Sequence, residues 1–213
     1  MPPPLEWAID RCLAKDAANR YEYSPAAKGA RRLRTIALGY IDASGAGDAP
    51  ALAKRQYDEA DNMTDRQGAL GVLANGDSAE RGPALATFYD RYRGDALVID
   101  KWFTVQALST RDDTLQRVMA LLRHPDFRLG NPNRLRSLIG AFGHNQRALH
   151  ARSGRGYRFL ADAVLAVDGI NPQNAARLVP PLGRWRRFDA TRARLMKAEL
   201  DRIVAAPGLS KDV

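Results

Sequence analysis

Apolar residues in this chain return every three or four positions, and strict two-residue alternation is nowhere sustained. Leu5, Trp7, Ala8, Ile9, Cys12 and Leu13 open the pattern. Leu33, Ile36, Ala37, Tyr40 and Ile41 repeat it. Leu135, Leu138, Ile139 and Phe142 fall at i, i+3, i+4 and i+7. Such a period puts one apolar stripe on each helix, and each stripe needs another helix to cover it. The breaks between stripes are short. Ser24-Pro25, Asn131-Pro132 and Asn171-Pro172 each set a capping side chain before a proline at the first helical position. Ser44-Gly45-Ala46-Gly47 and Asn75-Gly76-Asp77 read as helix ends, and Thr110 is expected to cap the helix carrying Leu115 and Val118. Helices on short loops pack against their chain neighbours. The expected fold is therefore all-α: a curved superhelical array (α-α superhelix, HEAT-like) of about nine to eleven short helices. The expected organisation is a single helical domain over residues 1–213. The Asn-Pro starts at Asn131 and Asn171 have a spacing within the range of helical solenoid repeats.

Composition narrows the function classes. The 213 residues suffice for one sizeable core. A lone cysteine excludes an internal disulfide, and no apolar stretch approaches the ~18 residues of a membrane span. Met1-Pro2-Pro3-Pro4 lacks the basic and apolar regions of a signal peptide. A cytoplasmic protein with no membrane partner is the simplest expectation. The tail Ser210-Lys211-Asp212-Val213 has no cap, which suggests a piece cut from a longer chain. Charge is uneven: residues 1–122 hold 16 basic and 17 acidic side chains, whereas 123–202 hold 16 basic and 6 acidic. Any anionic partner is expected at that second stretch.

Chemical motifs are scarce. His-Glu-x-x-His, the Walker glycine loop, the dinucleotide glycine fingerprint, Gly-x-Ser-x-Gly and Cys-x-x-Cys are all missing. His124, His144 and His150 have no metal-ligand spacing, so no metal and no cofactor is expected in this chain. Cys12 lies in an apolar stripe and reads as a small buried hydrophobe. Asp58, Glu59, Asp61 and Asp65 cluster, but Asn62 or Thr64 capping a helix explains them better than acid-base catalysis. The arginines at 134, 136, 147, 152, 155 and 158, then 184, 186, 187, 192 and 194, offer a phosphate-tracking face. Asp162 and Asp168 interrupt it, and no nucleic-acid motif surrounds it. The residues alone leave two readings open, a solvated or domain-facing basic surface and a free-standing helical-repeat module that binds protein or nucleic acid.

Several strings occur together in order: Tyr57-x-x-Ala60-x-Asn62-Met63-Thr64-Asp65-Arg66-x-x-Ala69-Leu70, then Asp100-Lys101-Trp102-Phe103, then Asn131-Pro132-Asn133-Arg134-Leu135-Arg136-Ser137-Leu138-Ile139-Gly140-Ala141-Phe142. Asn171-Pro172-Gln173 and Arg184-x-x-Arg187-Phe188-Asp189 follow. From about residue 22 to the end, this resembles the C-terminal helical domain of bacterial aminopeptidase N in the M1 family of zinc metallopeptidases. Pro180-Pro181 departs from the single proline expected there.

The resemblance implies a four-part parent enzyme that releases N-terminal amino acids from peptides with zinc held on its catalytic domain. Neither Gly-Ala-Met-Glu-Asn nor the zinc motif of that domain is present here. The 213 residues are then a non-catalytic C-terminal fragment, inactive alone. It would close the active-site cavity and help bind the peptide's C-terminal side. Arg136 and Arg177 correspond to the substrate-binding arginines, with internal salt bridges as the competing role for each. Implied partners are the other domains of the parent and peptide substrates, without nucleic acid. Asn62 to Arg66 are expected to cap and staple a helix pair, and Trp102-Phe103 to form an internal aromatic anchor.

Overall fold

The protein is described here by a computed structural model covering residues 23–45 and 48–213. The stripe from Leu5 to Leu13, with Cys12, lies outside the described residues. Helices and turns account for the secondary structure, with no strand among the described residues. The fold is all-α, as the periodicity requires. It divides into two compact units, one ending at Asp95 and the other starting at Ala96.

The first unit holds α1 (Pro25–Ser44), α2 (Ala49–Glu59), α3 (Met63–Asn75) and α4 (Arg81–Tyr92). Three of the four starts are closed by side-chain caps. Ser24 Oγ accepts from Ala27 N at 3.2 Å, Asp48 Oδ1 from Ala51 N at 3.0 Å, and Asn62 Oδ1 from Asp65 N at 2.9 Å. Helix α3 packs on α1, α2 and α4. It buries residues around most of its circumference, from Asp65 and Arg66 to Leu70, Val72 and Leu73. A helix surrounded in this way has no polar face to show. Its approach to α1 is close at Gly68, where a Cβ would lie 2.5 Å from Thr35 Oγ1. Tyr57 O–H donates to Ala84 O at 3.2 Å, joining α2 to α4.

The second unit opens with α5 (Ala96–Ala107) and α6 (Thr114–Leu121). Thr110 does not cap α6. The helix starts four residues later, and Thr114 Oγ1 donates to Ser109 O at 2.9 Å, closing the connecting turn. The Asn131-Pro132 start is realised, with Asn131 Oδ1 accepting from Asn133 N at 2.9 Å and Arg134 N at 3.2 Å. It leads into α7 (Pro132–Leu135), a π-helical turn (Arg136–Gly140) and α8 (Ala141–Gly143) without a break. The widened turn has a local cause. Ser137 Oγ donates to Arg134 O at 3.0 Å and so competes for a ladder acceptor, while Ala141 N reaches back five residues to Arg136 O.

The rest is built of shorter pieces: α9 (Gln146–Leu149), α10 (Arg155–Asp168), α11 (Pro172–Ala176), α12 (Pro180–Gly183), a 3-10 turn (Trp185–Arg187) and α13 (Ala190–Val204). Pro180 and Pro181 begin α12 and seat Leu182 in the core. Helix α10 packs on α11 and α13. Its first turn runs so close to α9 that a Cβ on Gly156 would sit 2.6 Å from Leu149 O. The core of this unit includes Ile99, Phe103, Val118, Leu138, Phe142, Leu149, Tyr157 and Leu160. The tail is tied back: Ser210 N and Oγ donate to the buried Asp168 carboxylate at 2.9 and 2.5 Å.

Asn145 and Asn171 look alike as caps but differ in load. Asn171 Oδ1 accepts from Asn174 N at 3.0 Å on an exposed helix start. Asn145 caps α9 through a half-buried bond from Ala148 N and also donates from Nδ2 to Ala107 O at 2.9 Å and Ser109 O at 2.7 Å, both buried. Asn171→Ala is expected to cost about 1 kcal/mol. Asn145→Ala should cost about 3 kcal/mol, because the cap is lost together with two buried hydrogen bonds, while Ser109 O keeps Thr114 Oγ1. Urea denaturation of both variants checks this, and equal losses would contradict it.

Candidate functional site

The segment from Asn131 to Ser137 sends its two arginines to different places. Arg134 is buried. Its Nε donates to Asp126 O at 3.0 Å, its Nη1 to Ala96 O at 2.9 Å and to the Asp100 carboxylate, and its guanidinium lies 5.6 Å from the Phe103 ring centroid. Ser137 Oγ stands 3.3 Å from the same Asp100 oxygen. Thr104 Oγ1 lies 2.8 Å from Asp100 O and 3.1 Å from Ser137 O, so its single proton is shared between α5 and the π turn. The Asp100-to-Phe103 and Asn131-to-Ser137 strings are thus one structural joint. Beside it, Trp102, Phe103, Phe127 and His124 form the expected aromatic anchor, with ring centroids 5.1 to 6.1 Å apart.

Arg136 points out of this joint. It is exposed, and its polar contact is Nη2 donating to Asn133 Oδ1 at 2.9 Å, a neutral amide. Arg177, at the C-terminal cap of α11, is also exposed. Neither pairs with a carboxylate among the described residues. Other arginines of the basic stretch are consumed internally. Arg134 is one. Arg192 Nε donates to His150 O at 2.7 Å while Nη1 meets Asp189 at 2.6 Å, and Arg202 bridges Asp162 and Glu199, each at 2.7 Å.

A buried cluster near Arg192 escaped the sequence reading. His150 Nδ1 lies 2.9 Å from Tyr157 Oη, and its ring stacks on Phe188 at 4.1 Å and 27°. Burial, assisted by the Arg192 charge, lowers the His150 pKa. Burial pushes the Tyr157 phenol up to about 12, against the lowering pull of Arg192. Both groups are therefore neutral near pH 7. The two neutral groups share one hydrogen bond, whose donor is set by the imidazole tautomer. The only sequence signal was Phe188-Asp189 in one recurring string. Phe188 supplies the stacking ring, and Asp189 caps α13 through Thr191 N and Arg192 N, both at 3.1 Å.

The acidic cluster is taken up by ion pairs and by Asn62, whose Nδ2 donates to both Asp61 and Asp65 at 2.8 and 2.9 Å. Asp58 pairs with Lys54 at 2.5 Å, and Asp65 pairs with Arg34 at 2.7 Å. Arg66 donates to Tyr57 O at 3.0 Å and to Ala60 O, closing the α2–α3 turn. The segment Asn62 to Arg66 is the expected cap and staple. No three His, Cys, Asp or Glu side chains among the described residues are grouped to hold a metal ion. His124 accepts from Asp126 N at 3.1 Å, and His150 faces a phenol. This donor set does not fit zinc, and no step through zinc is assigned to these residues.

A family model described as "Domain of unknown function (DUF3458_C) ARM repeats" matches residues 4–213. Aminopeptidase N of Caulobacter vibrioides is 45% identical over 189 residues, covering 88% of this chain and 22% of that protein. Aminopeptidase N of Haemophilus influenzae is 42% identical over 196 residues, covering 92% and 22%, and that of Escherichia coli is 39% identical over 195 residues, covering 91% and 22%. The chain thus spans about a fifth of the length of these relatives. Among solved structures, Legionella pneumophila aminopeptidase A in complex with aspartic acid matches with a TM-score of 0.84 at 29% identity, over 99% of this chain and 25% of that one.

Two outcomes test this geometry. Asp100→Ala strands the Arg134 charge in a largely buried site and should cost about 3 kcal/mol. Arg136→Ala, at an exposed position, should change stability by less than about 0.5 kcal/mol. The depressed His150 pKa sets a pH dependence. The unfolded chain takes up a proton near the ordinary histidine value of 6.5, whereas the folded chain resists it. Stability is therefore full above that value and declines as pH falls below it. Denaturation midpoints at pH 7.5 and 5.5 should show this decline, and His150→Gln should reduce it.

Proposed function

Because the chain belongs to the ARM-repeat family (DUF3458_C) that forms the C-terminal helical domain of aminopeptidase N, we propose that residues 1–213 serve a larger zinc-dependent aminopeptidase as its non-catalytic helical domain. On this reading the domain closes the active-site cavity and binds the C-terminal side of the peptide through Arg136 and Arg177. The parent releases N-terminal amino acids, and its zinc and catalytic groups lie on other domains. Its partners are those domains and peptide substrates, and its compartment is the cytoplasm. No helix among the described residues is long and apolar enough to cross a membrane.

The observation that carries the substrate role is the state of the two guanidiniums. Unlike Arg134, Arg192 and Arg202, which are bound to carboxylates and carbonyls, Arg136 and Arg177 are exposed and pair with no carboxylate among the described residues. A guanidinium presents planar, paired N–H donors that match a carboxylate fork, and the interaction strengthens when water is partly excluded. The Asn133 contact uses one terminal nitrogen of Arg136 and steadies the side chain. The π turn that starts at Arg136 is pinned by Asp100, Thr104 and Ser137, so the arginine is mounted on a fixed joint.

The test uses the full-length protein that carries this chain. Arg136→Ala and Arg177→Ala should each raise KM for short peptides about tenfold, the loss expected for one charge-assisted contact. Turnover of amino-acid amide dyes, which lack a peptide C-terminal side, should be unchanged. An unchanged peptide KM in both variants would remove the role. The full-length protein should bind zinc stoichiometrically, and residues 1–213 alone should show no peptidase activity.

A further inference from the structure

Between the start of α6, α9 and the first turn of α10 lies a cleft of about 100 Å³ that the aminopeptidase reading does not use. Three guanidiniums line it: Arg111, Arg147 and Arg155. Leu115, Ala148 and Ala151 supply an apolar part of the wall. The charges differ in how firmly they are engaged. Arg111 is held by Asp113 at 2.8 Å. Arg147 meets Asp112 at 3.1 Å, but that aspartate side chain is 93% exposed, and so solvated a pair is easily exchanged for another anion. Arg155 is exposed, and no carboxylate lies within ion-pair reach of it among the described residues. Three cations thus converge where the adjacent acids are one firm partner and one loose one.

We infer that this cleft is a binding site for a small phosphate-bearing anion. Arg155 and Arg147 are its principal donors, and Asp112 is the internal competitor that leaves when the anion enters. Guanidinium forks suit tetrahedral phosphate oxygens, and several charge-assisted bonds to one multiply charged ion exceed what one solvent-exposed aspartate offers Arg147. The apolar wall gives the organic part of a phosphate monoester a place to rest. The cleft lies wholly within the second unit, and the assignment is independent of the peptide role of Arg136 and Arg177.

Isothermal titration of the full-length protein with glycerol 3-phosphate and with inorganic phosphate, at fixed ionic strength, tests the site. Saturable one-site binding is expected. Tighter binding of glycerol 3-phosphate assigns the site to esters, and equal binding assigns it to the free ion. Arg155→Gln should weaken binding about tenfold, the effect of losing one charged donor. Asp112→Asn should strengthen it several-fold by releasing Arg147. Both positions are exposed, so both variants should fold. No saturation up to about 10 mM ligand, or affinity unchanged in Arg155→Gln, overturns the site. Unchanged affinity in Asp112→Asn overturns the competitor role of the aspartate.

Discussion

The contact between Asp100 and Arg134 organises the start of the second unit. Arg134 could not be buried without satisfying its donors, since an unpaired guanidinium away from water carries a heavy desolvation cost. Here its donors reach one carboxylate and two backbone carbonyls, those of Ala96 and Asp126, each on a different stretch of chain. One side chain therefore fixes the beginning of α5, the loop before α7 and α7 itself. Ser137 and Thr104 join the same network and hold the π turn open. Arg136 leaves the protein from that turn, so the direction of an exposed, candidate substrate-facing group is set by a buried pair.

The same chemistry explains where the basic excess goes. Residues 123–202 hold 16 basic and 6 acidic side chains, a balance that alone suggests a polyanion partner. In the fold the arginines sort by what their surroundings supply. Those near buried carbonyls or carboxylates, such as Arg134 and Arg192, become structural struts. Those on outer faces, such as Arg136, Arg155 and Arg177, keep their charge for something outside. Arg147 and Arg155 meet Arg111 at one cleft of the second unit.

The helix starts were legible because capping is local. Ser24, Asn62, Asn131 and Asn171 act within three residues of themselves, and each cap is present as read. Thr110 misled because Thr and Ser also serve turns. The turn before α6 is closed by Thr114 on Ser109 O, which starts the helix later. The Asn145 bonds to Ala107 O and Ser109 O and the Phe188 stack on His150 were invisible because these partners are distant in sequence. Tyr57, Ala84 and Asp65 with Arg34 illustrate the same limit in the first unit. Of the candidate site, the identities of Arg136 and Arg177 came from the family resemblance, but their exposure did not.

By itself, the sequence determined the all-α class, most helix starts, the inward stripes and, through its recurring strings, the family. These follow from backbone periodicity and from side chains that act on near neighbours. Only the tertiary structure decided which arginine of Asn133-Arg134-Leu135-Arg136 is a strut and which is presented to solvent. It also decided that the helix widens to a π turn between them, and that Arg111, Arg147 and Arg155 line one cleft. The reason is physical. The fate of a long charged side chain depends on which carbonyls and carboxylates the fold brings within its reach, and those lie tens of residues away along the chain.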